Sequence, residues 1–91
     1  MAFEWDDNKA AANLRKHGVD FGPAADIDWT TVQFFADDRR DYGEERQFAR
    51  VMIGARLYVV VFVLRGDALR IISLRKANQR ERARYATENR T

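Results

Sequence analysis

An apolar segment from Leu57 to Leu64 limits the possible folds of this chain more than any other stretch. Every side chain in it is hydrophobic, so both faces of an extended strand would be apolar. Such a strand belongs in the middle of a sheet that is covered on both sides. The segment is far too short to cross a bilayer. Turn signals flank it, Gly54-Ala55-Arg56 before and Arg65-Gly66-Asp67 after, and they predict an antiparallel neighbour on each side.

The remaining elements follow from periodicity and turn residues, and short connections make sequential strands neighbours in the sheet. We therefore predict an α+β fold, with a four-stranded antiparallel meander sheet, two N-terminal helices and one C-terminal helix in a single domain of residues 1–91. The predicted helices are Asn8–His17, Pro23–Asp28 and a helix capped by Asn78 that ends near Glu88; the predicted strands are Thr31–Ala36, Glu45–Ile53, Leu57–Leu64 and Leu69–Arg75, with Phe3–Trp5 a short strand or an ordered lead-in.

Composition excludes several classes of protein. Hydrophobic residues make up 46% of the 91 residues, which is too many for a disordered chain despite 33% charged residues. The absence of cysteine excludes disulfides and thiolate metal sites, and it suits a reducing compartment. The N-terminus is acidic and lacks the basic start and apolar run of a signal peptide. We expect a cytoplasmic protein with no membrane association.

Charge is divided unevenly along the chain. Residues 1–45 hold 5 basic and 11 acidic side chains, whereas residues 46–91 hold 11 basic and 3 acidic ones. Nearly all of the cations are arginines, which form forked contacts with phosphate and carboxylate groups. The basic half could bind nucleic acid or an acidic protein, or the two halves could neutralise each other within the fold.

The positive charge is densest where the last strand leads into the C-terminal helix, between Asp67 and Tyr85. Strict alternation would place Ser73 and Arg75 on one face of that strand, and Arg70 on the other face unless the strand is bulged. In the helix, Glu81 lies between two packing residues and should be half buried. A carboxylate in that position needs a cation.

Two interpretations of this cluster remain open. In one, Arg75, Lys76, Arg46 and Arg70 form an anion site. In the other, the same arginines form an internal ion-pair network around Glu81. The two are compatible, because a carboxylate that fixes an arginine also orients that arginine toward a phosphate.

Other residues are weaker candidates for chemistry. His17, the single histidine, could act as a general base, but in the last turn of a helix it more often caps carbonyls or packs. Trp5 and Trp29 fit core or interface anchors better than platforms for bases. Asp37-Asp38 could bind a divalent ion weakly, although paired acids in a turn are usually just solvated. We find no Gly-rich phosphate loop, no His-Glu metal spacing and no Ser-His-Asp set.

Three groups of residues form an ordered pattern over nearly the whole chain. The first is Phe3-Glu4-Trp5-Asp6 with Lys9, Asn13, Lys16-His17-Gly18-Val19 and Phe21; the second is Asp41-Tyr42-Gly43-Glu44-Glu45-Arg46; the third runs from Arg70 to Asn78 and continues to Glu81 and Tyr85. Together they resemble BrnT-type toxins of type II toxin–antitoxin systems. The resemblance implies a RelE-like fold, RNA cleavage that arrests translation, and a BrnA-type antitoxin with a ribbon-helix-helix domain. It also implies that the toxin–antitoxin complex binds operator DNA and represses its own operon.

Cleavage of RNA without a metal needs a proton acceptor, a proton donor and stabilisation of the charge on phosphorus; arginine can supply only the stabilisation. We predict no cofactor and no metal. In the predicted catalytic set, Arg75, Arg46 and Arg70 bind the phosphate and stabilise its charge. Lys76 or Glu81 transfers protons if burial brings its pKa toward neutral. The predicted RNA contacts are Tyr42, Arg50, Arg80 and Tyr85. The alternative is a module that binds nucleic acid or a protein partner with the same arginines and cleaves nothing.

Overall fold

Five strands form one sheet in the computed structural model of this chain, which describes residues 2–35 and 46–88. The sheet has one α-helix associated with each of its faces, and a short 3-10 helix lies between the first helix and the second strand. The strands are β1 (Ala2–Trp5), β2 (Ile27–Phe35), β3 (Gln47–Ile53), β4 (Arg56–Arg65) and β5 (Ala68–Lys76), and the helices are α1 (Asp7–His17), α2 (Gln79–Glu88) and the 3-10 helix (Gly22–Asp26).

The predicted four-stranded antiparallel meander with three helices is wrong. The sheet order is β1-β5-β4-β3-β2, and β1 pairs with β5 in parallel, so the sheet has five strands and is mixed. The parallel partner of β1 lies far along the chain, where reasoning from short connections does not reach. The expected helix at Pro23 is only a 3-10 turn, in which the Ala24 N–H bonds the Phe21 carbonyl, and β2 begins at Ile27. The expected RelE-like architecture is wrong for the same reasons.

The prediction of a central, doubly covered strand is confirmed by β4. It pairs with β3 on one side and β5 on the other. On one face Val60 and Phe62 join the main core beneath α1 and the 3-10 helix. On the opposite face Leu57 and Val59 form a smaller cluster with Ala77, against which Tyr85 of α2 packs. The strand is apolar on both faces because each face packs in a separate hydrophobic core.

A bulge in β5 decides where its arginines lie. Ser73 pairs with Val61 but Ile71 pairs with Phe62, so Ile72 is an extra residue opposite the β4 ladder. Ser73 and Arg75 share a face as strict alternation predicts, but the bulge brings Arg70 to that same face rather than to the opposite one. Leu69, Ile71 and Leu74 face the main core instead. Arg70 and Arg75 pair with Val63 and Val59, alternate residues of one β4 face, and so both lie on the face covered by α2.

Helix α1 ends at His17, as predicted, and begins at Asp7, one residue before the predicted start. The Asp6 carboxylate accepts hydrogen bonds from the backbone N–H groups of Asn8 (2.7 Å) and Lys9 (3.3 Å), which caps the first turn. Gly18 follows the last turn with a φ of 69°, a left-handed conformation that favours glycine, and donates its N–H to the Leu14 carbonyl. Neither described helix is long and apolar enough to span a membrane.

A buried asparagine of α1 joins this helix to β5. The Asn13 Nδ2 donates to the carbonyls of Leu74 (2.7 Å) and Val19 (3.0 Å), while its Oδ1 accepts from the Leu74 N–H (3.2 Å) and the Ser73 hydroxyl (3.3 Å). Strand β1 pairs with β5 only as far as Ile71. The side chain of Asn13 therefore replaces a neighbouring strand beyond the point where β1 ends.

Candidate functional site

The junction of β5 and α2 is organised by a forked ion pair between Arg75 and Glu81. Nη1 and Nη2 of Arg75 each lie 2.7 Å from a different carboxylate oxygen of Glu81. Nη1 also approaches the Lys76 carbonyl at 3.4 Å. The Arg75 side chain is 33% exposed and that of Glu81 is 20% exposed. The guanidinium is thus held rigidly by two parallel bonds while part of it still faces solvent.

The same glutamate starts α2. The Asn78 side chain accepts from the Glu81 N–H at 2.8 Å, and the Glu81 carboxylate accepts from the Asn78 N–H at 2.9 Å. This reciprocal arrangement is a capping box, which the Asn-x-x-Glu spacing encodes. The carboxylate that caps the helix is therefore the one that orients Arg75.

A row of side chains crosses the sheet beneath α2. Pairing aligns Arg50 of β3 with Val59 of β4, and Val59 with Arg75 of β5. The side chain of Arg50 is only 7% exposed and lies 3.7 Å from the Glu88 carboxylate at the end of α2. Glu81 in the first turn of α2 thus pairs with Arg75, and Glu88 in the last turn pairs with Arg50. The two arginines lie on either side of Val59.

These cations determine the protonation of Glu81. Its hydrogen bonds with Arg75 are the largest influence and lower the pKa of its carboxyl group below the ordinary value of 4.5. Desolvation opposes this shift, while the Asn78 N–H and the charges of Arg75 and Arg50 reinforce it. The pair likewise raises the pKa of Arg75, again chiefly through the hydrogen bond with Glu81. The condition that burial moves a pKa toward neutral is therefore not met for Glu81.

The other predicted catalytic residues lie at different distances from this pair along the sheet. Arg70 shares its sheet face and lies 3.6 Å from Glu4, its partner in the parallel β1–β5 pairing. Arg46 directly precedes β3 and is half-buried. Lys76 is the exposed last residue of β5. The structure therefore places Arg75, Arg70 and Glu81 on one side of the sheet. Arg75 forms the ion pair with Glu81, whereas Arg70 pairs with Glu4.

The predicted RNA contacts are spread more widely. Arg80 is exposed in the first turn of α2, whereas Arg50 is buried. Tyr85 packs on the smaller core, and its hydroxyl donates to the Thr31 carbonyl at 2.9 Å, which ties α2 to β2. Tyr42 lies outside the described residues, as does the Asp37-Asp38 pair.

A shallow groove of about 210 Å³ lies between α1 and β5. Its α1 wall includes Lys9, Lys16 and His17, and Ser73 lies on its β5 wall, at the bulge. Burial is the main cause that lowers the pKa of His17, and the positive charges of Lys16 and Arg75 add to it. Because Arg75 affects this imidazole, the groove and the Arg75–Glu81 pair are electrostatically connected.

Three residues of this groove, Lys9, Lys16 and Asn13, were not assigned to a site from the sequence. We call the hydrogen bonds of Asn13 to Leu74 the Asn13 clamp, because they hold α1 against β5. Together with His17, the three residues recur at helical spacing over two turns of α1, so the sequence does contain the signal of a shared helix face. The bulge that opens the facing strand has no comparable signal.

An apolar groove of about 390 Å³ lies on the main-core side of the sheet. It is lined in part by Trp29, Phe34 and Leu64, which are 39%, 62% and 54% exposed. The ring of Trp29 stacks on Phe3 and meets Phe62 edge-on, so it anchors β2 on the core. Trp5 meets Phe21 edge-on. Both tryptophans therefore make the core contacts that the sequence favoured.

Residues 2–35 and 46–88 contain no group of three or more acidic or histidine side chains that could hold a metal ion. Within this part of the chain, the chemistry available at the junction and the groove beside it is that of guanidinium, ammonium, carboxylate, hydroxyl and imidazole groups.

Comparison with known proteins links this geometry to a family. Residues 5–81 match the family described as ribonuclease toxin, BrnT, of type II toxin-antitoxin system. The crystal structure of the Brucella abortus ribonuclease toxin BrnT is similar, with 30% sequence identity and a TM-score of 0.67. The similarity covers 87% of this chain and 99% of the Brucella chain. No curated protein sequence matches the chain.

Proposed function

This chain belongs to the BrnT family of ribonuclease toxins of type II toxin–antitoxin systems, and we propose that it is a metal-independent endoribonuclease whose reaction centre is Arg75. The family makes the chain a toxin and leads us to expect an antitoxin partner. The single observation that carries the proposed centre is the forked Arg75–Glu81 pair, fixed at a strand end and still partly open to solvent.

The proposed reaction is transesterification within RNA. The 2′-oxygen loses its proton to a base and forms a bond with the adjacent phosphorus. The bond from phosphorus to the 5′-oxygen breaks, and that oxygen takes a proton from an acid. The products are a 2′,3′-cyclic phosphate and a 5′-hydroxyl end. Negative charge builds on the phosphoryl oxygens in the transition state, where preorganised donors are most effective.

Arg75 is suited to stabilise that charge. Its bonds to Glu81 and Lys76 use both Nη1–H groups and one Nη2–H, so Nε–H and the second Nη2–H can reach a phosphate. Glu81 holds the guanidinium in one orientation, which reduces the entropy lost on binding. With its lowered pKa, Glu81 serves this positioning role better than it serves proton transfer.

The other residues of the proposed site supply charge and contacts around Arg75. Arg70 and Arg46 clamp phosphate oxygens, with Arg70 on the sheet face of Arg75. Lys76, exposed beside Arg75, adds a positive charge close to the leaving oxygen. The proposed RNA contacts are the exposed Arg80, Tyr85, Arg50 and Tyr42, the last of which lies outside the described residues. Because Arg50 is buried beneath α2, it acts chiefly by supporting that helix.

The proposal is tested by cleavage of an RNA oligonucleotide with the Arg75→Gln variant. We expect the loss of one donor to the transition state to slow cleavage by about 100-fold or more. Arg65→Gln at the opposite end of β4 is the matched control, with the same change in net charge. Both variants are compared at equal folded fraction, and antitoxin binding is measured in parallel.

Three results would overturn the mechanism. One is unchanged cleavage by Arg75→Gln, and another is cleavage of a substrate with a 2′-deoxy nucleotide at the scissile position. The third is loss of activity on chelation of divalent ions. Protection of RNA from other nucleases without cleavage would support the alternative of a binding module.

We also propose that the partner is a BrnA-type ribbon-helix-helix antitoxin that covers the Arg75 face, and that the complex binds operator DNA and represses the operon. Free toxin would then cut RNA in the cytoplasm and arrest translation. The complex is expected to cleave RNA more slowly than free toxin. Equal rates would show that the antitoxin leaves the reaction centre open.

A further inference from the structure

We propose that the groove between α1 and β5 is a phosphate subsite that binds the RNA backbone on one side of the scissile phosphate. This inference rests on the proposed ribonuclease activity and adds a second place where the substrate is held. Its residues lie outside the Arg75–Glu81 pair and outside the RNA contacts proposed above.

The chemistry of the groove favours an anion. Two exposed lysines, Lys9 and Lys16, lie on its helical wall, roughly 10 Å apart along the helix axis at 1.5 Å per residue. None of the residues that line it is acidic. Neither lysine forms a salt bridge within residues 2–35 and 46–88, whereas Arg75, Arg70 and Arg50 all do. Their charge is therefore directed to solvent and to whatever enters the groove.

The groove is also fixed in shape by the fold. Asn13, buried at its floor, uses both of its polar atoms on Leu74 and so holds α1 at a set distance from β5. The bulge at Ile72 brings Ser73 to the opposite wall, where its hydroxyl donates to Asn13 and can still accept from a ligand. A volume of about 210 Å³ holds several waters at about 30 Å³ each, so a phosphate group can replace them.

The location of the groove next to Arg75 favours RNA over an acidic protein segment as its ligand. Ser73 lies two residues before Arg75 on β5, and their pairing with alternate residues of β4 places both on one face. His17 lines the groove, and the positive charge of Arg75 is one of the causes that lower the pKa of its imidazole, after burial and Lys16. A strand of RNA whose scissile phosphate contacts Arg75 would therefore continue naturally along this groove. An acidic peptide would have no reason to span both places.

Adjacent residues of α1 provide a matched experiment. Lys16→Gln and Arg15→Gln each remove one positive charge from the last turn of the same helix, but only Lys16 lines the groove. Binding is measured by fluorescence anisotropy with an RNA oligonucleotide that carries a 2′-deoxy nucleotide at the scissile position. A dinucleotide with only the scissile phosphate is the short probe.

We expect Lys16→Gln to weaken binding of the long RNA about 5- to 10-fold at low salt and to reduce the slope of log K against log salt by about 0.7, the value for one phosphate contact on a single strand. Arg15→Gln should change neither quantity. Lys16→Gln should raise KM for a long cleavable RNA with kcat unchanged, and it should not alter binding of the dinucleotide. Lys9→Gln should add to the effect.

The two proposals fail in different ways. Equal RNA binding by Lys16→Gln and Arg15→Gln, with cleavage still dependent on Arg75, would refute the groove and leave the ribonuclease intact. Weaker antitoxin binding by Lys16→Gln without a change toward RNA would assign the groove to the protein partner and also refute the inference. Cleavage that persists in Arg75→Gln would overturn the reaction centre, and with it the reason for placing RNA in the groove.

Discussion

Replacing Glu81 with glutamine tests whether the forked ion pair organises the β5–α2 junction. Glu81→Gln keeps the size of the side chain and an oxygen that can cap Asn78, but it removes the charge opposite Arg75. Hydrogen bonds to charged groups contribute about 1.5–3 kcal/mol, and partial exposure of both side chains reduces this. We expect a loss of about 1–2 kcal/mol at neutral pH, or about 5–15 °C in Tm for a domain of this size.

The pH dependence follows from the lowered pKa of Glu81. A carboxyl whose pKa is depressed by folding stabilises the folded state above its ordinary value of 4.5, and this contribution is lost as pH falls through the folded pKa. The variant has no such group. The difference in stability between the wild type and Glu81→Gln should therefore be full at about pH 7 and should shrink as the pH falls below 4.5 and through the folded pKa.

The assay is thermal or denaturant unfolding of both proteins across this pH range. Asp67→Asn in the exposed β4–β5 turn removes one negative charge elsewhere and should leave the pH profile close to that of the wild type. A Glu81→Gln curve that runs parallel to the wild-type curve at every pH would refute the reasoning. Equal stability at neutral pH would do the same, because the pair would then contribute nothing to folding.

Two further substitutions test the contacts that hold the helices on the sheet. Asn13→Ala removes the buried partner of the Leu74 N–H and carbonyl and should lower the free energy of unfolding in urea by about 2–4 kcal/mol. The control Asn8→Ala, on the exposed surface of α1, should lower it by less than about 0.5 kcal/mol. Similar values for both variants would contradict the clamp. Tyr85→Phe removes the hydroxyl that bonds the Thr31 carbonyl and should cost about 1 kcal/mol with the ring packing kept, and an unchanged free energy of unfolding would show that this tether carries no stability.

The sequence predicts those parts of the fold that depend on local signals. Asp6 and Gly18 bracket α1 because capping and left-handed backbone are properties of single residues. The apolar run of β4 indicates a covered central strand because burial on two faces leaves no polar position. Asn78 marks the start of α2 for the same local reason, and its cap links the helix to Glu81.

The features of the fold that the sequence does not predict depend on pairing between segments that are far apart in the chain. The four residues of β1 are too few to show alternation, and their partner β5 is near the other end of the chain. Because the pairing of β1 with β5 is not predicted, the ion pair between Arg70 and Glu4 cannot be predicted either. The bulge at Ile72 shifts the alternation by one residue, and only pairing with β4 reveals it. This shift places Arg70 on the same face as Arg75, whereas strict alternation would have put them on opposite faces.

The clamp at Asn13 also determines how other chains can approach the sheet. An uncovered strand edge invites pairing by a foreign strand. Here a side-chain amide occupies the peptide groups of Leu74, just beyond the end of β1, so this stretch of β5 offers no ladder to extend. The basic groove at this position therefore does not lie on an open edge of β5. A partner that docks by adding a strand would have to use the outer edge of β1 or that of β2, the two edge strands of the sheet.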